Sequence, residues 1–399
     1  MTVLNRALGA ALAAGTILGA SGSAFATGWD VQGLNSYDLL FSNDKFVIQG
    51  QTSYVDRNVD FKNVEASGGL TGSVDNTIPD VWLHSVAVKA NLFDGIDFFA
   101  KIDNPYIIRE KPGFEWAGRY ALGETVADSV GIDGMLSYKY DINDSSNIRL
   151  FGGVRSVKVS YEQNSALQTP LGDTTSGVDV ESDREFGWRI GAAYEIPELA
   201  LRAKVSYDSE IDLDLDGDFV LGGNRLSSAA ASATLPQAVE ASIQSGVAPG
   251  WLVSLGVKWV DWSVLNELSV GFSGGPASLP GGSPFPQGTT RVLNYSDGWT
   301  VEAGVSHKLT DKLGVGGTVT WDQGIGGPYS DFWAFGLGGS YDVSDNVRLA
   351  LGGRAVYKTA DSGIYQNVDP ASGTVTSEAA YDYDSSWNFQ LSSRLRVSF

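Results

Sequence analysis

The sequence has no cysteine, and its 399 residues include only two methionines and two histidines. The absence of cysteine excludes disulfide bonds, thiolate nucleophiles and cysteine-ligated metal sites. Histidine is the side chain that most often acts as a general base, and the only two, His84 and His307, are far apart in the chain. We therefore expect no enzymatic activity, no cofactor and no metal centre.

Basic residues are also scarce. Lys and Arg together number 27 against 47 Asp and Glu, which gives a formal net charge of −20 at pH 7. A nucleic-acid-binding protein needs a basic face to meet the phosphates, so nucleic acid is excluded as a partner. Glycine and aromatic residues are abundant, with 49 Gly, 17 Phe, 16 Tyr and 11 Trp. This composition predicts many strands joined by tight turns.

Long apolar runs are missing beyond the N-terminus. Arg6 precedes a small, apolar stretch over residues 7–20, and Ala24-Phe25-Ala26 has the Ala-x-Ala form of a cleavage site. A membrane-spanning helix needs about 20 residues, so this stretch is too short to be one. The pattern predicts a secretory signal peptide over residues 1–26, with the mature chain starting near Thr27.

From about Phe46 onward, apolar and polar residues alternate in runs separated by turn residues. In the run from Trp387 to Phe399, for example, Leu395 and its apolar neighbours occupy odd positions, while Arg394 and Arg396 occupy even ones. A period of two indicates a strand with one apolar and one polar face. The runs lie near 46–62, 78–92, 96–108, 128–142, 147–163, 181–196, 199–217, 234–247, 250–272, 295–309, 312–323, 331–342, 346–362 and 380–399.

The connections between the runs alternate between short and long. A soluble β-sandwich also alternates along its strands, but it gives no reason for the connections to alternate in length. A transmembrane barrel predicts both features, because its short turns gather on one side of the membrane. We predict an all-β fold: a transmembrane antiparallel up-and-down β-barrel of about 14 strands over residues 46–399, in the outer membrane. A short N-terminal plug segment, residues 27–45, precedes it.

One acidic motif raises the question of calcium binding. Asp212, Asp214, Asp216 and Gly217 have the spacing that opens an EF-hand loop. The twelfth position, which requires a bidentate Glu, is Gly223, and no amphipathic helix flanks the motif. The acids also alternate with isoleucine and leucine, which favours a strand with one apolar face. Other acids crowd the predicted loops, where a solvated surface is favoured over divalent-cation bridges to lipid headgroups.

Several segments resemble the FadL-like family of outer-membrane transporters for long-chain fatty acids and other hydrophobic compounds. The resemblance implies a barrel of fourteen strands, a number that agrees with the count above. It rests on motifs similar to the family's seventh to eleventh strands: Tyr207, Ser209, Ile211 and Gly217; Leu235-Pro236, Glu240, Ser242, Trp251, Trp262-Ser263 and Leu268; and Asp297-Gly298-Trp299 through Trp321-Asp322.

The resemblance also implies a transport route. A hydrophobic ligand is captured at the outer surface, enters a pocket inside the barrel, and leaves sideways through a gap where the third strand kinks inward. Asn104-Pro105-Tyr106 falls where that kink would lie, and Pro105 has no N–H for a strand ladder. The alternative is an ordinary proline near the strand's outer end. The chain departs from the family in its shorter plug and in a short polar loop predicted at Asn164 to Val180.

Alternation also predicts which side chains face the lumen. Large apolar groups there suit an oily passage, while arginines suit a carboxylate. The alternative is that the lumen cations pair with acids such as Glu240 or Glu302 and only hold the wall. The predicted ligand-binding residues are Phe99, Lys101, Met135, Phe151, Arg155, Arg189, Leu252 and Phe332.

The predicted function is passive transport of hydrophobic small molecules, such as long-chain fatty acids or aromatic hydrocarbons. A general diffusion porin for small polar solutes is the alternative, because the lumen is also rich in Ser, Gly and charge. A surface adhesin or structural barrel is a third class. The expected partners are the hydrophobic ligand, outer-membrane lipid and lipopolysaccharide, and the outer-membrane assembly machinery, which we expect to engage the C-terminal Phe399.

Overall fold

The computed structural model describes residues 28–170, 172–279 and 284–399. The predicted signal peptide, residues 1–26, lies outside the described residues, as does Thr27. Short 3-10 helices occur at Asp38–Phe41, Ser67–Gly69, Pro197–Leu199 and Trp262–Val264. Among the described residues, no helix has the length and apolar character needed to cross a membrane.

Strands make up most of the described chain. In chain order they are β1 (Phe46–Asp56), β2 (Phe61–Ala66), β3 (Leu70–Val74), β4 (Val81–Phe93), β5 (Ile96–Asp103), β6 (Ile108–Glu110), β7 (Glu124–Asn143), β8 (Ser146–Thr169), β9 (Gly172–Ser182), β10 (Glu185–Ile196), β11 (Leu201–Asp208), β12 (Ile211–Leu221), β13 (Asn224–Leu235), β14 (Ala238–Ala248), β15 (Trp251–Val260), β16 (Glu267–Ser273), β17 (Gly288–Val292), β18 (Gly298–Lys308), β19 (Leu313–Asp322), β20 (Phe332–Asp342), β21 (Val347–Lys358), β22 (Asp361–Val368), β23 (Val375–Tyr383) and β24 (Ser386–Ser398).

The strands close into a ring. The pairings among the described strands are antiparallel, and β1 pairs with β4 on one side and with β24 on the other, so the ring closes. The result is the closed antiparallel barrel of 14 strands that the sequence predicted. Around the ring the order is β1, β4, β5, β7, β8, β10, β11, β14, β15, β18, β19, β20, β21 and β24.

The wall has the predicted alternation of outward apolar and inward polar side chains. On β24, Leu391 and Leu395 point outward with 67% and 49% of their surface exposed, as lipid-facing groups should. Arg394 points inward, where Nε and Nη2 donate hydrogen bonds to Gln51 Oε1 at 3.0 and 2.7 Å. Arg396 points the same way and reaches Asp44 at 2.7 Å. A one-residue slip would place both arginines in lipid, so charge fixes this register.

At the end where the long connections lie, the wall continues outward as paired strands. The segment Asn164 to Val180, predicted as a loop, belongs instead to the β8–β9 hairpin, where Ala166 is opposite Thr175. The prediction of a loop was wrong because the segment is mostly polar, and only alternate residues such as Val178 and Val180 are buried on one face. A ladder of backbone hydrogen bonds forms there without an apolar run.

The acidic motif lies within β12, where Ile211, Leu213 and Leu215 are each 3% exposed and the intervening aspartates are exposed. The prediction of a strand is therefore confirmed. Within the ranges that the structure describes, no group of histidine or acidic side chains is arranged to hold a metal ion.

Buried apolar residues inside the barrel form separate clusters. The outer cluster fills the lumen towards the long connections and includes Phe219, Phe272 and Ile325. A loop cluster packs the β2 and β3 region against β22 and β23, with Phe61 stacked on Tyr381 at 4.0 Å. An inner cluster lies towards the short turns and is described below with the site. Between them the lumen remains open, and this space forms the candidate site.

Candidate functional site

The barrel wall is interrupted between β4 and β5. Their pairing runs outward as far as Ser85 opposite Asp103 and ends there, whereas β4 continues to Val81. The next residues after Asp103 are Asn104 and Pro105, and a proline cannot donate a ladder hydrogen bond. The third wall strand therefore leaves its neighbour at the position where the sequence predicted a kink.

Two residues of β7 hold the kinked segment on the inside of the wall. The Ser129 hydroxyl accepts a hydrogen bond from the Tyr106 N–H and donates one to the Tyr106 carbonyl, both at 2.8 Å. Asn104 donates to the Ser129 carbonyl, also at 2.8 Å. A Cβ atom at Gly131 would lie 2.9 Å from Pro105 Cγ, so the proline ring packs directly over a residue that has no side chain. Neither Ser129 nor Gly131 was predicted from the sequence, because small residues on a strand give no signal of a contact with a distant proline.

The N-terminal segment, which precedes β1, pairs with the kinked segment around Pro105 in place of β4. The Val31 N–H donates to the Pro105 carbonyl and the Ile107 N–H donates to the Trp29 carbonyl, each at 3.0 Å. Asp30 and Tyr106 form an antiparallel bridge between the two segments. The backbone groups released by the break in the wall are therefore satisfied by residues 29–31, inside the barrel.

Four aromatic rings meet beside this bridge, and we call them the aromatic quartet. Trp29 contacts the rings of Trp262 and Tyr295 edge-on, both with centroids 5.6 Å apart. Tyr106, from the kink, meets Trp262 edge-on at 6.4 Å. Trp262, Tyr295 and Tyr106 belong to the outer cluster, and Trp29 packs against it. The quartet thus joins the kink, the N-terminal segment and the apolar filling of the outer lumen.

A chamber of about 400 Å³ lies between the N-terminal segment and the barrel wall. Its volume is within the range of small-molecule sites. Leu83 and His84 of β4 and Asn104 of the kink border it, so it reaches the interruption in the wall. Farther from the interruption in the wall, the chamber is lined by Gln51 and Arg394. The His84 side chain is exposed, and its Nδ1 lies 2.9 Å from Thr52 Oγ1 beside the interruption in the wall.

Ion pairs and hydrogen bonds hold the N-terminal segment along the lumen. Asp30 pairs with Lys258, and Asp38 Oδ1 lies 2.5 Å from Lys204 Nζ. Tyr37 OH lies 2.7 Å from Ser206 Oγ. Burial raises the pKa of the Tyr37 hydroxyl, so it stays neutral and hydrogen-bonded at physiological pH.

Three of the predicted apolar ligand residues meet in the inner cluster. Phe99, Met135 and Phe151 are nearly fully buried there and pack with Leu40 and Phe41 of the N-terminal segment. Leu252, also predicted, is fully buried on the inner face of β15. Phe332 lies at the outer end of β20, opposite Lys358, and is half-buried.

The predicted cations are held in a buried charge network. Asp208 receives two hydrogen bonds from Arg189, at 2.5 and 2.7 Å, and its Oδ2 lies 3.0 Å from Arg155 Nη1. Lys101 lies 2.9 Å from Asp103 and 3.7 Å from Asp133. Lys101 also borders the chamber. The network favours the alternative in which lumen cations pair with acids and hold the wall. Of the two acids named from the sequence, Glu302 lies 3.2 Å from Arg354 and Glu240 lies 3.2 Å from Lys204.

Comparison with known proteins identifies the family. Residues 9–325 match the family described as outer membrane protein transport protein (OMPP1/FadL/TodX). The chain belongs to this family. It is thus an outer-membrane member of a transport family, and the predictions of family, location and absence of enzymatic activity are confirmed.

Curated relatives include the long-chain fatty acid transport protein of Escherichia coli, 22% identical over 376 residues that cover 82% of this chain and 84% of the relative. Outer membrane protein P1 of Haemophilus influenzae is 25% identical over 182 residues, 42% of this chain and 37% of that protein.

Solved structures share the fold of this OMPP1/FadL/TodX family member. A FadL homologue of Pseudomonas aeruginosa superimposes with a TM-score of 0.74 at 17% identity, covering 97% of this chain and 98% of that one. The toluene transporter TbuX of Ralstonia pickettii gives a TM-score of 0.60 at 14% identity, covering 95% and 97%.

Proposed function

We propose that this protein is a passive channel for hydrophobic small molecules, such as long-chain fatty acids or aromatic hydrocarbons, with lateral exit at the kinked third wall strand. The observation that carries the proposal is the chamber beside the interrupted wall, bordered by Leu83, His84 and Asn104. The pairing of β4 with β5 ends here, and Val81 and Leu83 of β4 pack with Ile107 and Val31. A molecule in this chamber leaves by displacing these apolar side chains, without crossing the intact wall. Relatives named as fatty acid and toluene transporters support the substrate class.

The proposed route begins in the outer cluster, which offers an apolar environment to a ligand arriving from outside. It then passes the aromatic quartet, beyond which Val31 and Gln32 already line the chamber. Trp29 belongs to the N-terminal segment and not to the wall, so it is the member of the quartet that a ligand can displace. The segment, residues 27–45, acts in this proposal as a short plug that follows a signal peptide over residues 1–26.

The predicted ligand-binding residues lie at different points along the proposed route. Phe332 lies near the outer end of the route. Lys101 borders the chamber beside the gap, which is the interruption in the wall between β4 and β5. Phe99, Met135 and Phe151 contact the N-terminal segment and would meet a ligand once that segment moves. Leu252, Arg155 and Arg189 are the remaining residues predicted from the sequence, and the two arginines also stabilise the wall through Asp208.

Two partners predicted from the sequence remain proposals. Phe399 is 68% exposed and packs beside Phe46 at 6.0 Å, so its ring is accessible to the outer-membrane assembly machinery. Outer-membrane lipid and lipopolysaccharide are the proposed surroundings of the apolar outer face. Deletion of Phe399 should slow assembly, measured as the heat-modifiable folded fraction, without changing transport by molecules that do assemble.

Chemical closure of the gap tests the route directly, because the chain has no natural cysteine. Leu83→Cys with Asn104→Cys, joined by a bifunctional methanethiosulfonate that forms a disulfide with each thiol and releases sulfinate, should block uptake of labelled fatty acid. Reductant, which cleaves both disulfides, should restore uptake. Gln244→Cys with Ser254→Cys is the matched control, since these residues line the same chamber at an unbroken part of the wall. Unimpaired uptake with the gap cross-linked would refute lateral exit.

A general diffusion porin is the second candidate. It is favoured by the polar lining of the chamber, which extends to Asp345 and Asn346 at the short-turn end. The outer and loop clusters argue against it, because they fill the lumen with apolar side chains. Liposomes containing the protein should not swell in isotonic sugar solution, whereas a porin would cause swelling.

A further inference from the structure

The segment between β19 and β20, residues 324–331, packs into the outer end of the lumen, and we call it the strap. Its backbone turns back on itself, with the Ile325 N–H donating to the Tyr329 carbonyl at 3.0 Å. Ile325 is fully buried in the outer cluster, and a Cβ atom at Gly28 would lie 2.3 Å from Ile325 Cδ1. The Tyr329 ring meets Tyr295 of the aromatic quartet at 6.1 Å. The strap therefore packs on both the quartet and the N-terminal segment.

One buried carboxylate ties the strap to the kinked strand. Glu110, the last residue of β6, is 3% exposed. The Tyr329 hydroxyl donates a hydrogen bond of 2.9 Å to Glu110 Oε1, and Arg291 Nη2 donates one of 3.1 Å to Glu110 Oε2. Arg291 belongs to β17, and its Nη1 donates to Thr125 Oγ1 of β7 at 2.8 Å. Each carboxylate oxygen thus has a donor, and loss of either donor leaves a buried charge less well satisfied.

Glu110 is also close to the gap along the chain. Ile107 lies three residues before it, and its side chain packs with Leu83 of β4, where the pairing with β5 has ended. The Ile107 N–H donates to the Trp29 carbonyl at 3.0 Å. Two connections therefore run from the strap to Ile107. One passes through the carboxylate of Glu110 and along β6, and the other passes through the N-terminal segment.

Two further contacts hold the tip of the strap without involving the kinked strand. Lys358 Nζ, at the outer end of β21, donates to the Pro328 carbonyl at 2.7 Å. The Tyr383 hydroxyl, from the loop cluster, donates to the Gly327 carbonyl at 3.1 Å. Both donors reach the backbone of the strap from outside it. Because the turn of the strap is hydrogen-bonded within itself, the strap can leave these donors as a unit, with the ladder of the wall intact.

We propose that the strap is the outer gate of the transport route, and that Glu110 is a positioning residue that couples this gate to the lateral exit. With the strap docked, Tyr329 holds Glu110, and β6 keeps Ile107 packed over Leu83 at the gap. A hydrophobic ligand entering the outer cluster competes with Ile325 for that apolar environment and displaces the strap. Glu110 then loses one of its two donors, and the cover of the gap loosens. This inference rests on the proposed transport function and adds the order of its steps: the exit opens after capture.

The thiol reactivity of Leu83→Cys tests the coupling, because the chain has no natural cysteine. A small water-soluble thiol reagent is applied, without ligand, to the full protein in phospholipid nanodiscs. Tyr329→Phe removes only the hydroxyl that reaches Glu110, and it should raise the labelling rate at position 83 about tenfold, since a hydrogen bond to a charged group contributes that much to an equilibrium. Tyr383→Phe is the matched control, because it removes a hydroxyl that holds the same strap at Gly327. It should leave the rate unchanged.

A second reporter distinguishes this coupling from a general loosening of the barrel. Ser254→Cys lines the same chamber at the unbroken wall of β14 and β15. Its labelling rate should be the same with Tyr329 and with Tyr329→Phe. If Tyr329→Phe leaves the rate at position 83 unchanged, or raises the rates at positions 83 and 254 alike, the coupling is overturned.

Locking the strap in place tests the gate itself. Pro328→Cys with Lys358→Cys can be joined by a bifunctional methanethiosulfonate, which forms a disulfide with each thiol and releases sulfinate. The locked protein should take up no labelled fatty acid, and reductant should restore uptake, so the same double variant serves as its own control. Uptake that continues with the strap locked would refute the gate and leave lateral exit standing. Absence of uptake by the wild type would instead count against the transport proposal, and the labelling rates at position 83 would still decide the coupling.

Discussion

The Val31 amide donates a hydrogen bond of 3.0 Å to the carbonyl of Pro105. Through this contact the N-terminal segment completes the backbone pairing that the third wall strand loses when it leaves β4. The N-terminal segment and the kinked segment therefore form one structural unit, and a change in the structure of either should alter the other.

Trp29→Ala should loosen the N-terminal segment. It removes the partly buried ring that joins the segment to Trp262 and Tyr295, and each such edge-on aromatic pair contributes about 0.5–1.5 kcal/mol beyond the area it buries. The backbone bridge to Pro105 then has less support, so fatty acid uptake should be faster and a cysteine placed at Leu34 should react faster with a soluble thiol reagent.

Trp251→Ala is the matched control for this experiment, since Trp251 is a 42% exposed residue on the outer face of the wall. It should change neither uptake nor thiol reactivity. Unchanged reactivity at position 34 in Trp29→Ala would show that the quartet does not restrain the segment.

Gly131→Ala should displace the kink. The added Cβ would lie 2.9 Å from Pro105 Cγ, closer than atoms normally approach, and it points to the inner face where the proline ring rests. The displaced ring should strain the hydrogen bonds between Tyr106 and Ser129, lowering both the unfolding temperature and the rate of fatty acid uptake.

Gly134→Ala, on the same strand, provides the comparison, because a Cβ there meets nothing within 4 Å. It should resemble wild type in both measurements. If the two variants behave alike, the close packing of Pro105 on Gly131 has no role in forming the kink.

Asp208→Asn should destabilise the barrel wall more than any surface change. Arg189 and Arg155 both contact this carboxylate, and removal of one partner from a buried ion pair costs about 3–5 kcal/mol. The temperature at which the folded form disappears on an electrophoresis gel should fall clearly, while the preference among ligands stays the same.

The comparison for Asp208→Asn is Asp218→Asn, which breaks the exposed pair with Arg225. Exposed pairs contribute about 0–1 kcal/mol, so this variant should unfold near the wild-type temperature. A loss of ligand preference in Asp208→Asn at unchanged stability would mean that Arg155 and Arg189 bind the ligand directly, as the sequence first suggested.

The wall was predictable because its two faces meet different solvents. Alternation along the chain assigned Leu395 to the outside and Arg394 to the inside, and a closed ring followed from the need to satisfy every backbone group in lipid. The β8–β9 hairpin escaped prediction because outside the membrane that constraint no longer applies. Strand pairing there requires only a neighbouring strand, and the polar residues around Ala166 do not produce the alternating apolar pattern that predicts a strand.

The end of the β4–β5 pairing could be anticipated from the sequence, but the contents of the lumen could not. Pro105 follows soon after Asp103 and has no N–H to donate, which is a local property of the chain. The contents of the lumen depend on contacts between distant residues: Tyr37 with Ser206, or Lys101 with Asp133. The alternation of apolar and polar residues placed Phe99 and Phe151 on the inner face, but it could not reveal that the N-terminal segment packs against them.

The most direct test is a crystal structure with a fatty acid that carries bromine at the end of its tail, located by anomalous scattering. Lateral exit predicts bromine density at the gap beside Leu83 and Asn104, with the chain running into the chamber that these residues border. Bromine density confined to the outer loops, or lying against the unbroken wall of β14 and β15, would contradict lateral exit.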